Sequence, residues 1–230
     1  MKITWLGHSG FRIEIGDQVL LVDPWLTGNP MFPTDKRAEA IAGATHILLS
    51  HAHGDHCGDA LVLAKELDIP LVGIFDLIAW WEDTEGIQGI GFNKGGSVML
   101  GEVRVTMVQA VHSSTLRGQD GPVAVGSEAG FMISHNQRTI YFSGDTDVTM
   151  DMQIMQDLHQ PEIGILCAGG HFTMDMRRAS YAAQTFFNFK TVIPCHYRTF
   201  PLLEQDASVM KDTLPGIDVI EPEVLDPILL

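Results

Sequence analysis

Short apolar or alternating runs recur along the chain, at residues 3–6, 11–15, 19–22, 47–49, 71–74, 98–100, 103–108, 130–133, 139–142, 163–166 and 191–193. Most are rich in Val and Ile and end at Gly, Asp, Pro or Ser, the residues that turn a chain out of a sheet. Each run predicts a β-strand, and Gly16-Asp17 between two of them predicts a hairpin turn. The apolar spacing lengthens to that of a helix at Ala60, Leu63, Ala64 and Leu67, and again at Ala179, Ala182, Ala183 and Phe186. Fainter helical patterns cover residues 76–83, 150–158 and 203–211. Strands crowd the first half and alternate with helices later, which predicts an α/β or α+β sandwich with helices outside two sheets. Two connections, residues 26–37 and 113–129, are long for a compact domain, and loops of that length are often functional.

Composition narrows the class. A chain of 230 residues, 45% hydrophobic, supports one domain over residues 1–230 with a substantial core. The 14 basic and 29 acidic residues leave a net charge of −15. Nucleic-acid binding needs a basic footprint, so this balance argues against it. Three cysteines, Cys57, Cys167 and Cys195, form no regular framework and fit a reducing, cytoplasmic setting. No apolar run approaches the roughly 20 residues of a membrane span, and the N-terminal stretch lacks the apolar centre of a signal peptide. The expected partner is a small molecule, with no nucleic acid and no membrane; a homo-oligomer is compatible with the sequence.

The chemistry concentrates in Ser50-His51-Ala52-His53-Gly54-Asp55-His56, which follows the apolar run 47–49. Imidazole nitrogen and carboxylate oxygen are ligands for zinc, iron and manganese. Leaving a strand, His51 and His53 alternate to one side. A turn allowed by Gly54 then swings Asp55 and His56 towards a second point. The segment reads as two half-sites. A His-rich surface loop is the bland alternative, but this segment leads out of a buried strand. A single structural metal is another, but such sites are usually closed by cysteines. Further strand runs end at Asp23, His112, Asp145 and His196. Sites in layered α/β folds collect beyond such strand ends.

These landmarks resemble the metallo-β-lactamase superfamily over nearly the whole chain. The H-x-H-x-D-H run is its signature, and His112 in AVHSS, Asp145 in FSGDTD and His196 in PCHYRTFP follow in the expected order. The segments ITWLGHSGFRIE, VDPWLTGNP and GGHFTMD resemble a compact group of metal-dependent hydrolases related to the ascorbate-phosphate lactonase branch. The resemblance implies a four-layer αββα sandwich with a dinuclear site. His51, His53 and His112 would hold the first metal; Asp55, His56 and His196 would hold the second; Asp145 would bridge them. Asp23 would order the metal loop from outside.

The implied cofactor is two divalent ions, zinc first, with manganese, iron or nickel as alternatives. A bridging hydroxide, oriented by Asp55 as catalytic residue, would cleave an ester, lactone or phosphodiester bond. A mononuclear iron oxidoreductase of the persulfide-dioxygenase kind and a nucleotide phosphodiesterase are the alternatives. His8, His171, Tyr197 and Arg198 are the candidate substrate contacts. Trp80-Trp81 reads as core or as a loop cover.

Overall fold

The computed structural model describes residues 1–118 and 121–230. The strands and helices of the first half are β1 (Lys2–Gly7), β2 (Gly10–Ile15), β3 (Gln18–Val22), α1 (Arg37–Ile41), β4 (His46–Leu49), α2 (Gly54–Cys57), α3 (Ala60–Leu67), β5 (Leu71–Ile74), α4 (Phe75–Glu85) and β6 (Gly89–Phe92). Next come β7 (Ser97–Leu100), β8 (Val103–Gln109), β9 (Thr115–Gly118), β10 (Gly121–Ala124), β11 (Ala129–His135) and β12 (Arg138–Phe142). The chain closes with α5 (Asp151–His159), β13 (Ile163–Cys167), α6 (Met176–Phe186), β14 (Thr191–Cys195), α7 (Ser208–Thr213), β15 (Asp218–Val219) and β16 (Pro227–Leu229). All the apolar runs of the sequence lie in strands, and the Gly16-Asp17 turn joins β2 to β3 with Ile15 opposite Gln18.

The strands form two seven-stranded sheets, ordered β16-β1-β2-β3-β4-β5-β6 and β15-β14-β13-β12-β11-β8-β7. Each sheet is antiparallel on one side and parallel on the other: β3 to β6 run parallel, as do β12 to β15. Parallel strands need crossovers, and helices supply them. Accordingly α3 and α4 pack on β4, β5 and β6, while α6 packs on β13 and is flanked by α5 and α7. Between the sheets, Phe11 meets Phe142 at 6.2 Å and Phe92 meets Phe131 at 6.3 Å. Each such buried side chain contributes roughly 1.5–3 kcal/mol. The result is the expected αββα sandwich. Among the described residues, no helix is long and apolar enough to cross a membrane.

Three local expectations are corrected. The helix expected over 203–211 is confined to Ser208–Thr213. Upstream, the Gln205 amide donates to the carbonyls of Phe200 at 2.9 Å and Leu203 at 2.6 Å, and Asp206 accepts from Ser208 N at 2.8 Å, so the polar side chains hold a turn instead. The connection 113–129 is not all loop: it carries the β9–β10 hairpin, although residues 119 and 120 lie outside the described residues. Finally, Gly54 opens no left-handed turn. It starts the single helical turn α2, with His56 N and Cys57 N both bonded to His53 O.

Candidate metal centre

The fold brings the strand ends to one place. Strand β3 ends at Asp23, β4 at Ser50-His51, β12 shortly before Asp145, and β14 just before His196. Backbone bonds tie the two sheets together there: Ala129 N to Ser50 O and His196 N to His8 O, both 2.9 Å. His8, Asp23 and His196 adopt φ of +53°, +45° and +58°, a region that non-glycine residues seldom occupy. Such strain persists only where the surroundings fix it, and it clusters at functional sites. Gly169 explains one close approach: a Cβ there would collide with the His196 carbonyl.

Asp145 sits at the centre. Its Oδ2 lies 3.1 Å from His196 Nε2, 3.2 Å from His56 Nε2, 3.6 Å from His112 Nε2 and 3.9 Å from His51 Nε2. On one side, His51, His53 and His112 converge, with His51 Nε2 3.0 Å from His53 Nδ1. On the other side, Asp55, His56 and His196 converge, joined by His8. Asp55 Oδ2 lies 3.7 Å from His196 Nε2 and 3.8 Å from His56 Nε2. The Asp145 side chain is 2% exposed and that of Asp55 33%, so of the two carboxylates Asp55 alone reaches the open cleft.

Buried hydrogen bonds fix which nitrogens face inward. A carboxylate only accepts. Asp23 Oδ2 therefore takes N–H from His56 Nδ1 at 2.8 Å and O–H from Ser50 at 2.5 Å, while Oδ1 takes Ser50 N–H at 2.7 Å. With its hydrogen committed to Asp23, Ser50 Oγ accepts from His51 Nδ1 at 2.9 Å. Both imidazoles thus commit Nδ1 to these bonds and turn Nε2 towards Asp145. The same logic applies to His8, whose Nε2 donates to Asp55 Oδ2 at 2.9 Å while Nδ1 accepts from the Thr199 hydroxyl at 2.8 Å.

The residues fit a divalent cation. Among the described residues, His56 Nε2 and Asp145 Oδ1 are buried polar atoms with no hydrogen-bond partner. Such atoms cost free energy unless something binds them. Burial pushes His51 well below its ordinary value, which keeps its lone pair available. Burial alone would also lower His56, but Asp145 and Asp23 on either side hold it well above. Burial would raise Asp145, but His196 and His56 outweigh it and hold the carboxyl well below the usual range. A cluster of imidazole nitrogens around an ionised carboxylate is a metal-ligand set.

Solved structures share this fold, and other chains share this sequence. YhfI from Bacillus subtilis, a metallo-beta-lactamase fold protein, matches with a TM-score of 0.75 over 99% of this chain and 98% of its own, at 17% identity, which shows a shared fold. The beta-lactamase superfamily domain profile matches residues 2–196. The chain belongs to the metallo-β-lactamase superfamily. Within the superfamily, a UPF0173 metal-dependent hydrolase of Dinoroseobacter shibae is 66% identical over 230 residues, covering 100% of both chains. Igni18, a metallo hydrolase from the hyperthermophilic archaeon Ignicoccus hospitalis, is 30% identical with a TM-score of 0.83, covering 100% of this chain and 98% of its own.

In this member of the metallo-β-lactamase superfamily, the seven expected ligand positions are brought together; of the four expected substrate contacts, His8 alone lies among them, and it is buried. Tyr197 is fully buried, its ring 5.6 Å from Trp5 and stacked on it. Arg198 pairs with Glu223 at 3.1 Å and lies over Trp5, away from the cleft. His8 is fully buried behind Asp55 and is a support for that carboxylate. His171 is exposed and stacks edge-on with Phe172, whose ring is 6.5 Å from His196. Sequence reasoning missed Thr199, whose hydroxyl donates to His8 Nδ1. It also missed Asp59, whose carboxylate accepts from Leu26 N at 2.7 Å and Thr27 N at 2.8 Å and so anchors the loop after Asp23.

The cluster makes the metal-stripped superfamily member acid-sensitive. His8, His51, His53 and His112 are all lowered, burial being the largest cause, with His8 at about 4. Unfolding lets them take up protons below about pH 6.5. Stability therefore falls as pH drops from 6.5 through these lowered values. The raised His56 acts oppositely, since its stabilising share is full below 6.5 and is lost as pH rises through its folded value. Four groups against one give a net loss on the acid side. Urea midpoints in chelator should fall from pH 7 to pH 5; a flat or rising series contradicts this balance.

Proposed function

We propose that the protein is a metal-dependent hydrolase that cleaves an ester, lactone or phosphodiester bond of a small molecule at a two-metal centre. The observation that carries this reading is the position of Asp145 Oδ2, within 3.1–3.9 Å of imidazole nitrogens from both ligand groups. His51, His53 and His112 would hold one ion, and Asp55, His56 and His196 the other, with Asp145 shared. Zinc suits these donors, as do manganese, iron and nickel. Two bound ions supply Lewis acidity for the scissile carbonyl or phosphoryl oxygen and a water acidic enough to attack at neutral pH. The chain's own residues do the positioning. Asp23 and Ser50 keep His51 and His56 in the ligating tautomer. His8 holds one oxygen of Asp55, leaving the other for a hydrogen bond to the attacking water. The names of the relatives, metal-dependent hydrolase and metallo hydrolase, support the reaction class.

The test is metal-reconstituted turnover on a panel of carboxylic esters, lactones and phosphodiesters, with metal content measured alongside and His53→Ala as the blank. Turnover in at least one class with two ions per chain is expected. One iron per chain with oxygen uptake, or turnover unaffected by His53→Ala, overturns the reading.

A further inference from the structure

A cleft of about 1170 Å³ opens beside the metal centre, with His53 and Asp55 at one end. Beyond the ligand-bearing segment 52–58, its walls come from elements that supply no ligand. Helix α3 contributes Leu61 and Val62, α4 contributes Trp80, and the β9–β10 hairpin contributes Leu116 and Val123. Leu116 and Val123 face each other across the hairpin as direct partners. Leu61, Trp80, Leu116 and Val123 are half-buried against the core, and Val62 is 58% exposed. Outside the ligand set, the charged side chains of the lining are Glu85 and Arg117, both exposed at the rim, and Glu85 already pairs with Lys65 at 2.8 Å.

Two physical points follow. A pocket for a drug-sized ligand is roughly 300–1,000 Å³, so this cleft is far larger than a scissile ester or phosphate group requires. A two-stranded ribbon is marginal in water unless its apolar side is covered. The β9–β10 ribbon belongs to neither seven-stranded sheet, and its apolar side chains line the cleft.

We propose that this cleft is a substrate-arm subsite. It takes a small molecule carrying a bulky apolar arm, an alkyl chain or an aromatic ring, next to the bond presented to His53 and Asp55. The assignment rests on the hydrolase reading above for the identity of the reacting end. The arm itself is recognised by burial against Leu61, Val62, Trp80, Leu116 and Val123, and each buried methylene tightens binding roughly fourfold.

The experiment titrates acetate, hexanoate and 4-phenylbutyrate by calorimetry into zinc-loaded and chelator-stripped protein. Hexanoate and 4-phenylbutyrate should bind at least about tenfold more tightly than acetate in both forms. Leu116→Asn and Val62→Asn should each shrink that ratio at least about threefold. Val62 is exposed enough that its variant folds, and Met150→Asn, at the exposed N-cap position just before α5, serves as the control that leaves the ratio unchanged. Equal affinities for the three acids, or a ratio that neither cleft variant alters, overturns the subsite. Failure of the hydrolase reading looks different: no metal-dependent turnover, with the affinity ratio intact.

Discussion

Asp145→Asn should remove metal from both halves of the site at once. The reason is that one oxygen, Oδ2, faces His196 and His56 on one side and His112 and His51 on the other. An amide is a far poorer ligand than a carboxylate for a divalent ion, and it presents no charge. Turnover should drop at least about 10³-fold, because groups that act as one unit fail together. His53→Ala offers the contrast, since it removes a donor from one group only. Metal content after dialysis, measured beside kcat, separates the two. If Asp145→Asn keeps one half fully occupied while His53→Ala empties it, Asp145 is not a shared ligand.

Asp23→Ala should have the largest effect on stability. The carboxylate is fully buried and accepts three hydrogen bonds, from Ser50 N, Ser50 Oγ and His56 Nδ1. Removing one partner of a buried charged pair costs about 3–5 kcal/mol. At this chain length that corresponds to a melting temperature lower by roughly 6–20 °C. Metal affinity should also fall about 10–100-fold, because His51 and His56 lose the bonds that set their tautomers. Asp23→Asn keeps the size and tolerates the backbone φ of +45°. It should recover much of the stability but little of the metal affinity, since its NH₂ opposes an N–H donor. Calorimetric melting and metal titration on both variants test this. Equal metal affinity in the wild type and Asp23→Asn would remove Asp23 from the ligand-orienting role.

The expected ligand set was legible from the H-x-H-x-D-H run and from His51, His112, Asp145 and His196, which stand shortly after apolar runs stop. The run 47–49 leads into His51, and β14 leads into His196. Strand β6 was not legible, because Gly89 and Gly91 take half its positions and conceal the apolar pattern. The hairpin β9–β10 was hidden for a similar reason: Gly118, Gly121 and Pro122 carry the marks of a loop. Tyr197 and Arg198 were misplaced by a different effect. Both His196 and Arg198 have positive φ, +58° and +66°, so the side-chain alternation that extends a strand does not continue past His196. Tyr197 instead turns back onto Trp5. The partnership of His8 with Asp55 spans 47 residues and leaves no periodic trace.

The two backbone bonds that cross between the sheets, Ala129 to Ser50 and His196 to His8, bear on how the molecule assembles. Four candidate ligands, His51, His53, Asp55 and His56, arise before β5, while the candidates His112, Asp145 and His196 arise after β8. A ribosome-bound chain therefore holds an incomplete site until β14 has emerged and docked. Even then β1 waits for its outer neighbour, since β16 follows every one of these residues in the chain. Contacts this distant in sequence form slowly. An ion that binds only the docked form draws the equilibrium towards it by mass action, so metal supply during synthesis should set the yield of folded chain as well as its activity.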